Sequence, residues 1–153
     1  MRIHIIAIGR ARSGPEAALF KHYDDRVTQW PIILVEQDLR RRTAPDKLAE
    51  AEAALLEKSI PDGAFVIAMD ERGKQHTSRE FAQFLRGQQD EGRRDMAFLI
   101  GGADGLAASL REGADRVLSL GQATWPHLLI RGLLAEQIYR AQQIVVGHPY
   151  HRD

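Results

Sequence analysis

The sequence predicts an α/β fold: a mainly parallel sheet with helices on both faces. Three observations lead there. Short apolar runs alternate with helix-forming segments along the whole chain, which is the pattern of strand-helix-strand units. The runs at 3–8 and 64–69 are apolar at odd and even positions alike, so those strands need cover on both sides of the sheet. The runs also end at turn signals, among them Gly9, Pro61-Asp62-Gly63, Gly101-Gly102 and Gly121.

Residues 2–8 form the first strand, rich in β-branched Ile3, Ile5, Ile6 and Ile8, and Gly9 ends it. Ser13-Gly14-Pro15-Glu16 starts a helix: Ser13 or Gly14 caps, Pro15 suits the first turn and Glu16 complements the dipole. Its apolar side is Ala17, Leu19, Phe20, Tyr23 and Val27, and it is expected to reach about Gln29. Residues 31–35 give the second strand, with Pro31 at the position where proline is tolerated. A polar, basic loop at 38–42 is expected to be solvated. Thr43-Ala44-Pro45-Asp46 opens a second helix, and 47–58 is rich in good helix formers.

Residues 64–69 are the third strand, followed by a charged loop at 70–74. Thr77 and Glu80 form a capping box, and Phe81, Phe84 and Leu85 fall at helical spacing as core positions. Residues 87–95 are polar and rich in turn formers. The fourth strand is 96–100, a short helix follows at 106–112, and the fifth strand is 116–120. Pro126 starts the last helix, at about 127–146. Its Leu128, Leu129, Ile130, Leu133, Leu134, Ile138, Tyr139, Ile144 and Val145 cover more than one stripe. Such a helix is either sunk in its own core or shared with the second copy of a homodimer, and both readings stand.

The 153 residues suit one domain spanning 1–153, with neither repeat nor linker. With no cysteine, disulfides and thiolate metal sites are excluded. No apolar run approaches membrane-spanning length, and the chain enters its first strand at once, without a signal peptide. A cytoplasmic protein with no membrane partner is the expectation. The formal net charge is zero, unlike most nucleic-acid-binding domains. Positive charge is nevertheless clustered at Arg40-Arg41-Arg42, at Arg93-Arg94 and in the final segment.

Loops 69–74, 101–105 and 121–126 follow the third, fourth and fifth strands. In a parallel sheet they share the carboxyl edge, the usual binding crevice, and each contains glycine. The stretch F-L-I-G-G-A-D-G at 98–105 is either one wall of a ligand site or a bare tight turn. It is neither a dinucleotide G-x-G-x-x-G nor a P-loop. The chain closes with His148-Pro149-Tyr150-His151-Arg152-Asp153. Two histidines there would suit a metal, but no third ligand stands at ligand spacing, so no metal is expected. Arg152 and Tyr150 suit a phosphate or a stacked base. His127 and Arg131 share a helix face, and Glu136 is spaced to pair with Arg140.

The motifs L-I-G-G-A-D-G, S-L-G-Q-A-T-W-P-H, R-G-L-L-A-E-Q-I-Y-R-A and terminal H-P-Y-H-R-D, with D-E-R-G-K at 70–74, carry a resemblance. Taken in that order they are similar to the bacterial ribosomal RNA large-subunit methyltransferase H family, of the SPOUT or α/β-knot class. The resemblance covers the whole chain. It implies a homodimer that uses S-adenosyl-L-methionine to methylate N3 of a pseudouridine in large-subunit ribosomal RNA, within the ribosome. It also implies a C-terminal trefoil knot. By position it implies a cofactor pocket of Met69, Gly101, Gly102, Gly121, Gln122, Ala123, Thr124, Trp125 and Pro126. It implies RNA binding or catalysis by His127, Arg140, Tyr150, His151 and Arg152. Arg140 or Arg152 would stabilise the imide anion, and His127 or His151 would take its proton. A non-catalytic ribosome-binding or assembly factor of the same fold is the alternative.

Overall fold

A computed structural model describes residues 1–39 and 44–152, apart from the side chains of Pro45 and Asp46. The arginines at 40–42, the start of the second helix at Thr43 and the final Asp153 lie outside the described residues. The elements are β1 (Arg2–Ile8), α1 (Pro15–Asp24), β2 (Ile32–Gln37), α2 (Pro45–Glu57), β3 (Phe65–Gln75), α3 (Ser78–Asp90), β4 (Asp95–Ile100), α4 (Ala108–Gly113), β5 (Arg116–Ser119) and α5 (His127–Val145). They form one sheet of order β2-β1-β4-β3-β5 with every pair parallel.

Strand alternation divides the core in two. Ile3, Ile5 and Ala7 of β1, with Met96, Phe98 and Ile100 of β4, face one layer built from α1, α3 and α5. Ile6, Ile8, Ala97 and Leu99 face the other, built from α2 and α4. Both faces are dry, as the unbroken apolar runs require. Each large side chain removed from water contributes roughly 1.5–3 kcal/mol.

Beyond shifts of one or two residues elsewhere, four boundaries differ from the sequence expectation for a tertiary reason. α1 stops at Asp24 rather than near Gln29, because the backbone N–H groups of Thr28 and Gln29 both donate to Gln142 Oε1 of α5, each at 2.8 Å. β2 runs two residues further, to Gln37, since Glu36 and Gln37 still pair with Ala7 and Ile8. β3 does not open into a loop at Asp70. It bulges and continues to Gln75, with Met69 and Lys74 both opposite Leu118. α3 continues through Gly87 to Asp90, because Gln88 is buried and Gln89 accepts the Trp30 indole N–H at 2.6 Å. Gly92, at φ +81°, then closes it: its N–H donates to Gln89 O and that of Arg93 to Gln88 O, a Schellman cap. The Thr77–Glu80 capping box forms as read from the sequence.

α5 is buried along Leu134, Ala135, Ile138 and Ala141, yet Leu128, Leu129 and Leu133 remain partly exposed. It is therefore sunk in its own core on one side only.

At the amino edge of the sheet, Arg2 of β1 grips Asp95 of β4 with two hydrogen bonds of 2.7 Å, and His4 Nε2 reaches the same carboxylate at 2.8 Å. The Arg2 hydrogen bonds, with His4 assisting against burial, hold Asp95 at about 2. A carboxyl depressed in the folded state stabilises it above the unfolded value near 3.8, and that support is lost as pH falls towards about 2. Asp95→Asn is expected to cost about 1–2 kcal/mol at pH 7, allowing for the exposure of Arg2. The difference from wild type in urea titrations should shrink between about pH 4 and pH 2. Equal stabilities at pH 7 would show that the network contributes nothing.

Candidate functional site

The carboxyl ends of β3, β4 and β5 enclose a cleft of about 340 Å³. This is within the size range of small-ligand sites. Residues 69–72, 100–106 and 118–121 form three walls, and His127 and Ile130 of α5 form a fourth.

Glycines let the backbone come this close. Gly102 and Gly105 form an isolated bridge, with Gly105 N–H donating to Gly102 O at 3.1 Å. A Cβ on Gly101 would lie 2.4 Å from the Gly105 carbonyl carbon and oxygen. The Glu52 carboxylate, from α2, lies behind Gly102 and accepts a hydrogen bond from its backbone. Burial first, then nearby Asp104, raises the Glu52 pKa.

The β3 wall depends on its bulge. A Cβ on Gly73 would meet the Leu118 backbone at 2.6 Å, so only glycine lets β3 rejoin β5 there. Within the bulge the Asp70 carboxylate, nearly buried, lies 3.7 Å from Arg72 and 3.6 Å from Arg111. Arg111 also donates to the Leu106 carbonyl, linking the β3 wall to the β4 wall. On the third wall, Ser119 Oγ and the Gly121 backbone exchange hydrogen bonds of 2.8 and 3.0 Å. The cleft thus combines glycine backbone and apolar side chains with the charged Asp70, Glu71, Arg72, Asp104 and Arg111, of which Asp70 faces both arginines.

Met69, Gly101, Gly102, Gly121, Ala123, Thr124, Trp125 and His127 all line the cleft. Gln122 and Pro126 are exposed on the same loop and do not line it. Burial, and to a lesser degree Arg131, lower the His127 pKa.

Arg140, Tyr150 and His151 gather elsewhere. Gly147, at φ +71°, ends α5 in a second Schellman cap, with His148 N–H donating to Gln143 O at 2.9 Å, and the tail folds back on the helix. Tyr150 packs on Tyr139 with ring centroids 4.8 Å apart and donates to Glu136 Oε1 at 3.1 Å. Burial chiefly, then a hydrogen bond with Tyr23, raises the Tyr150 pKa. Arg140 stacks over the Tyr150 ring at 4.8 Å, pairs with Glu136 through Nε at 2.9 Å and approaches His151 Nδ1 at 3.4 Å. The ion pair read from the Glu136–Arg140 spacing is therefore present. Arg152 is exposed beside this cluster. At a rise of ~1.5 Å per residue, Arg140 lies about 20 Å along α5 from His127, so one chain does not bring the two halves together.

Sequence reading missed several contributors. Glu52 lies on a helix far upstream and carries no local signal. Arg26, just past α1, stacks over Tyr139 at 4.2 Å and donates to its hydroxyl at 2.7 Å, supporting the tail from a segment remote in sequence. Asp70 and Arg72 stood in a stretch already singled out, but their pairing needed the bulge. Among the described residues, no group of three His, Asp or Glu side chains could hold a metal, and no helix is long and apolar enough to cross a membrane.

Comparison with known proteins places this geometry. Residues 1–151 match a family model described as "Predicted SPOUT methyltransferase". A protein of Rhodospirillum centenum named ribosomal RNA large subunit methyltransferase H is 51% identical over 152 residues, covering 99% of both chains. A protein of the same name from Paramagnetospirillum magneticum is 49% identical with the same coverage. Among solved structures, a probable methylase family protein from Haemophilus influenzae superposes with a TM-score of 0.59 at 13% identity, over 99% of this chain and 70% of that one. That last likeness is one of fold.

Proposed function

The chain belongs to the SPOUT methyltransferase family, and from that premise we propose that it methylates large-subunit ribosomal RNA with S-adenosyl-L-methionine as donor. The position is N3 of a pseudouridine, and the substrate is the assembled ribosome in the cytoplasm. The observation that carries the reading is the three-loop cleft. Its glycine walls are the three loops that the strand pattern and the family resemblance point to in the sequence.

The residues present fit the cofactor. At Gly101 an added Cβ would strike the Gly105 backbone, so this wall of the cleft keeps its course only with glycine there. Met69, Gly101, Gly102, Gly121, Ala123, Thr124 and Trp125 would hold it, with Gln122 and Pro126 shaping the loop from outside. Bound there, S-adenosyl-L-methionine supplies a methyl carbon made electrophilic by its sulfonium. The chain's own residues orient the two reactants, exclude water and manage one proton. The N3–H proton passes to a histidine, either His127 or His151. With that proton removed, N3 would hold the electron pair that accepts the methyl group S-adenosyl-L-methionine would supply. Arg140 and Arg152 favour the imide anion by placing positive charge beside it.

The separation of the two clusters supports a homodimer in which the tail of one protomer completes the cleft of its partner. The partly exposed Leu128, Leu129 and Leu133 suit such an interface. The trefoil knot belongs to the same proposal. In its support, α5 follows β5 at one edge of the sheet, yet its Arg131 binds carbonyls at the end of β1 and pairs with Glu36 of β2 at the other edge.

Calorimetry of the pure protein with S-adenosyl-L-methionine is expected to show saturable binding. Incubation with ribosomes lacking the modification should place the methyl group on N3 of one pseudouridine, read by mass spectrometry of nuclease fragments, whereas free RNA should remain unmodified. No binding at millimolar cofactor would overturn the methyltransferase reading. Ribosome binding without methyl transfer would favour an assembly factor.

A further inference from the structure

We infer that Arg131 is a positioning residue, which holds His127 against the end of β1 as the neutral proton acceptor for methyl transfer. The inference rests on the methyltransferase reading above and narrows it to one histidine.

Arg131 is 1% exposed, one of the largest fully buried side chains in the protein. Its guanidinium is spent on the carboxyl ends of β1 and β2. Nη2 donates to the carbonyls of Ile8 and, at 2.9 Å, Gly9, and Nη1 pairs with Glu36. The same Glu36 oxygen accepts the Ala11 backbone N–H at 3.0 Å, so one carboxylate and one guanidinium fix the whole turn after β1. Burying a charge at this depth is costly, and a structural tie alone could use a neutral side chain.

His127 lies one helical turn before Arg131, on the same face of α5. Its imidazole lies close to that fixed turn. A Cβ on Gly9, which has φ +83°, would lie 3.1 Å from His127 Nε2 and 3.6 Å from Arg131 Nη2. The ring and the Arg131 guanidinium thus both crowd the Gly9 backbone, while His127 still forms part of the cleft wall. The charged groups around it can be named. Arg131 is the cation on its own helix, and Glu36 and Asp38 lie beyond Arg131 on the β2 side. Across the cleft stand Asp104, Glu71 and the Asp70, Arg72 and Arg111 cluster. Both burial and the neighbouring cation disfavour imidazolium, which keeps the ring able to accept a proton near neutral pH. His151 lies beside Arg140 on the tail and would reach a cleft only in a partner protomer, so the test follows His127 itself.

The test follows the His127 ring directly by NMR titration in the full chain, its resonance assigned by comparison with His127→Gln. In wild type the midpoint should fall below that of an ordinary histidine. In the double variant Arg131→Met/Glu36→Gln, which removes the charge without orphaning its partner, the midpoint should rise. The acidic limb of the kcat/KM profile on ribosomes should rise with it. Arg131→Lys keeps the charge and should keep the midpoint low, which preserves the test if the double variant fails to fold. His127→Gln should lower kcat roughly 100-fold or more.

An unchanged midpoint in the double variant would overturn the inference. So would a midpoint that moves while the acidic limb stays in place. If the double variant does not fold, an Arg131→Lys midpoint at the ordinary histidine value would overturn it too. Failure of the methyltransferase reading looks different: wild-type protein would transfer no methyl group, whatever His127 does.

Discussion

Gly101→Ala is expected to weaken S-adenosyl-L-methionine binding by about 100-fold or more, a loss of ~2.7 kcal/mol, with the sheet intact. The added methyl would lie 2.4 Å from the carbonyl carbon and oxygen of Gly105 and 2.7 Å from the Leu106 nitrogen. None of these atoms belongs to a side chain that could turn away. Leu106 is buried in the lower core, and its carbonyl is held by Arg111. Relief therefore requires the 101–105 loop to shift, and that loop is a wall of the cleft where the cofactor is proposed to lie. Calorimetry with the cofactor, beside a circular dichroism melt, separates the outcomes. Binding within a factor of about three of wild type would show that this wall does not hold the cofactor.

The second large effect concerns the tail. Arg152→Ala is expected to reduce methyl transfer about 100-fold or more while cofactor affinity and melting temperature stay near wild type, since an exposed side chain contributes little to stability. The composite arrangement gives a sharper form. Arg152→Ala lacks a tail function, and Gly101→Ala lacks a cleft function. After subunit exchange, each mixed dimer would carry one site with an intact cleft and an intact tail. Two nearly inactive proteins should then regain about a quarter of wild-type activity on mixing. A mixture no better than its components would place tail and cleft of each site in one chain.

The sequence carried the architecture well and its joints poorly. β1, the Thr77–Glu80 box and α5 were legible because each is determined by residues within it. The cleft was legible because glycines after three successive parallel strands converge on one edge whatever the helices do. The missed features depend on partners remote in sequence. Nothing near Asp24 says that α1 stops there. The β3 bulge is visible only once Met69 and Lys74 are seen to share Leu118. Glu52 reads as one more solvated glutamate until Gly102 is placed beside it. The tail residues carried chemical promise in their types, but their distance from His127 is a property of helix length and the fold-back at Gly147.

One such joint bears on how the chain acquires its shape. The Gln142 side-chain oxygen caps the polypeptide just past α1, across a sequence separation of 114 residues. The turn at Asp25 to Val27 bonds back on the helix locally, but the next two amides find their acceptor only in the last helix. Contacts of such long loop closure slow folding. In the folded protein the last helix thus fixes the path the chain takes as it leaves the first.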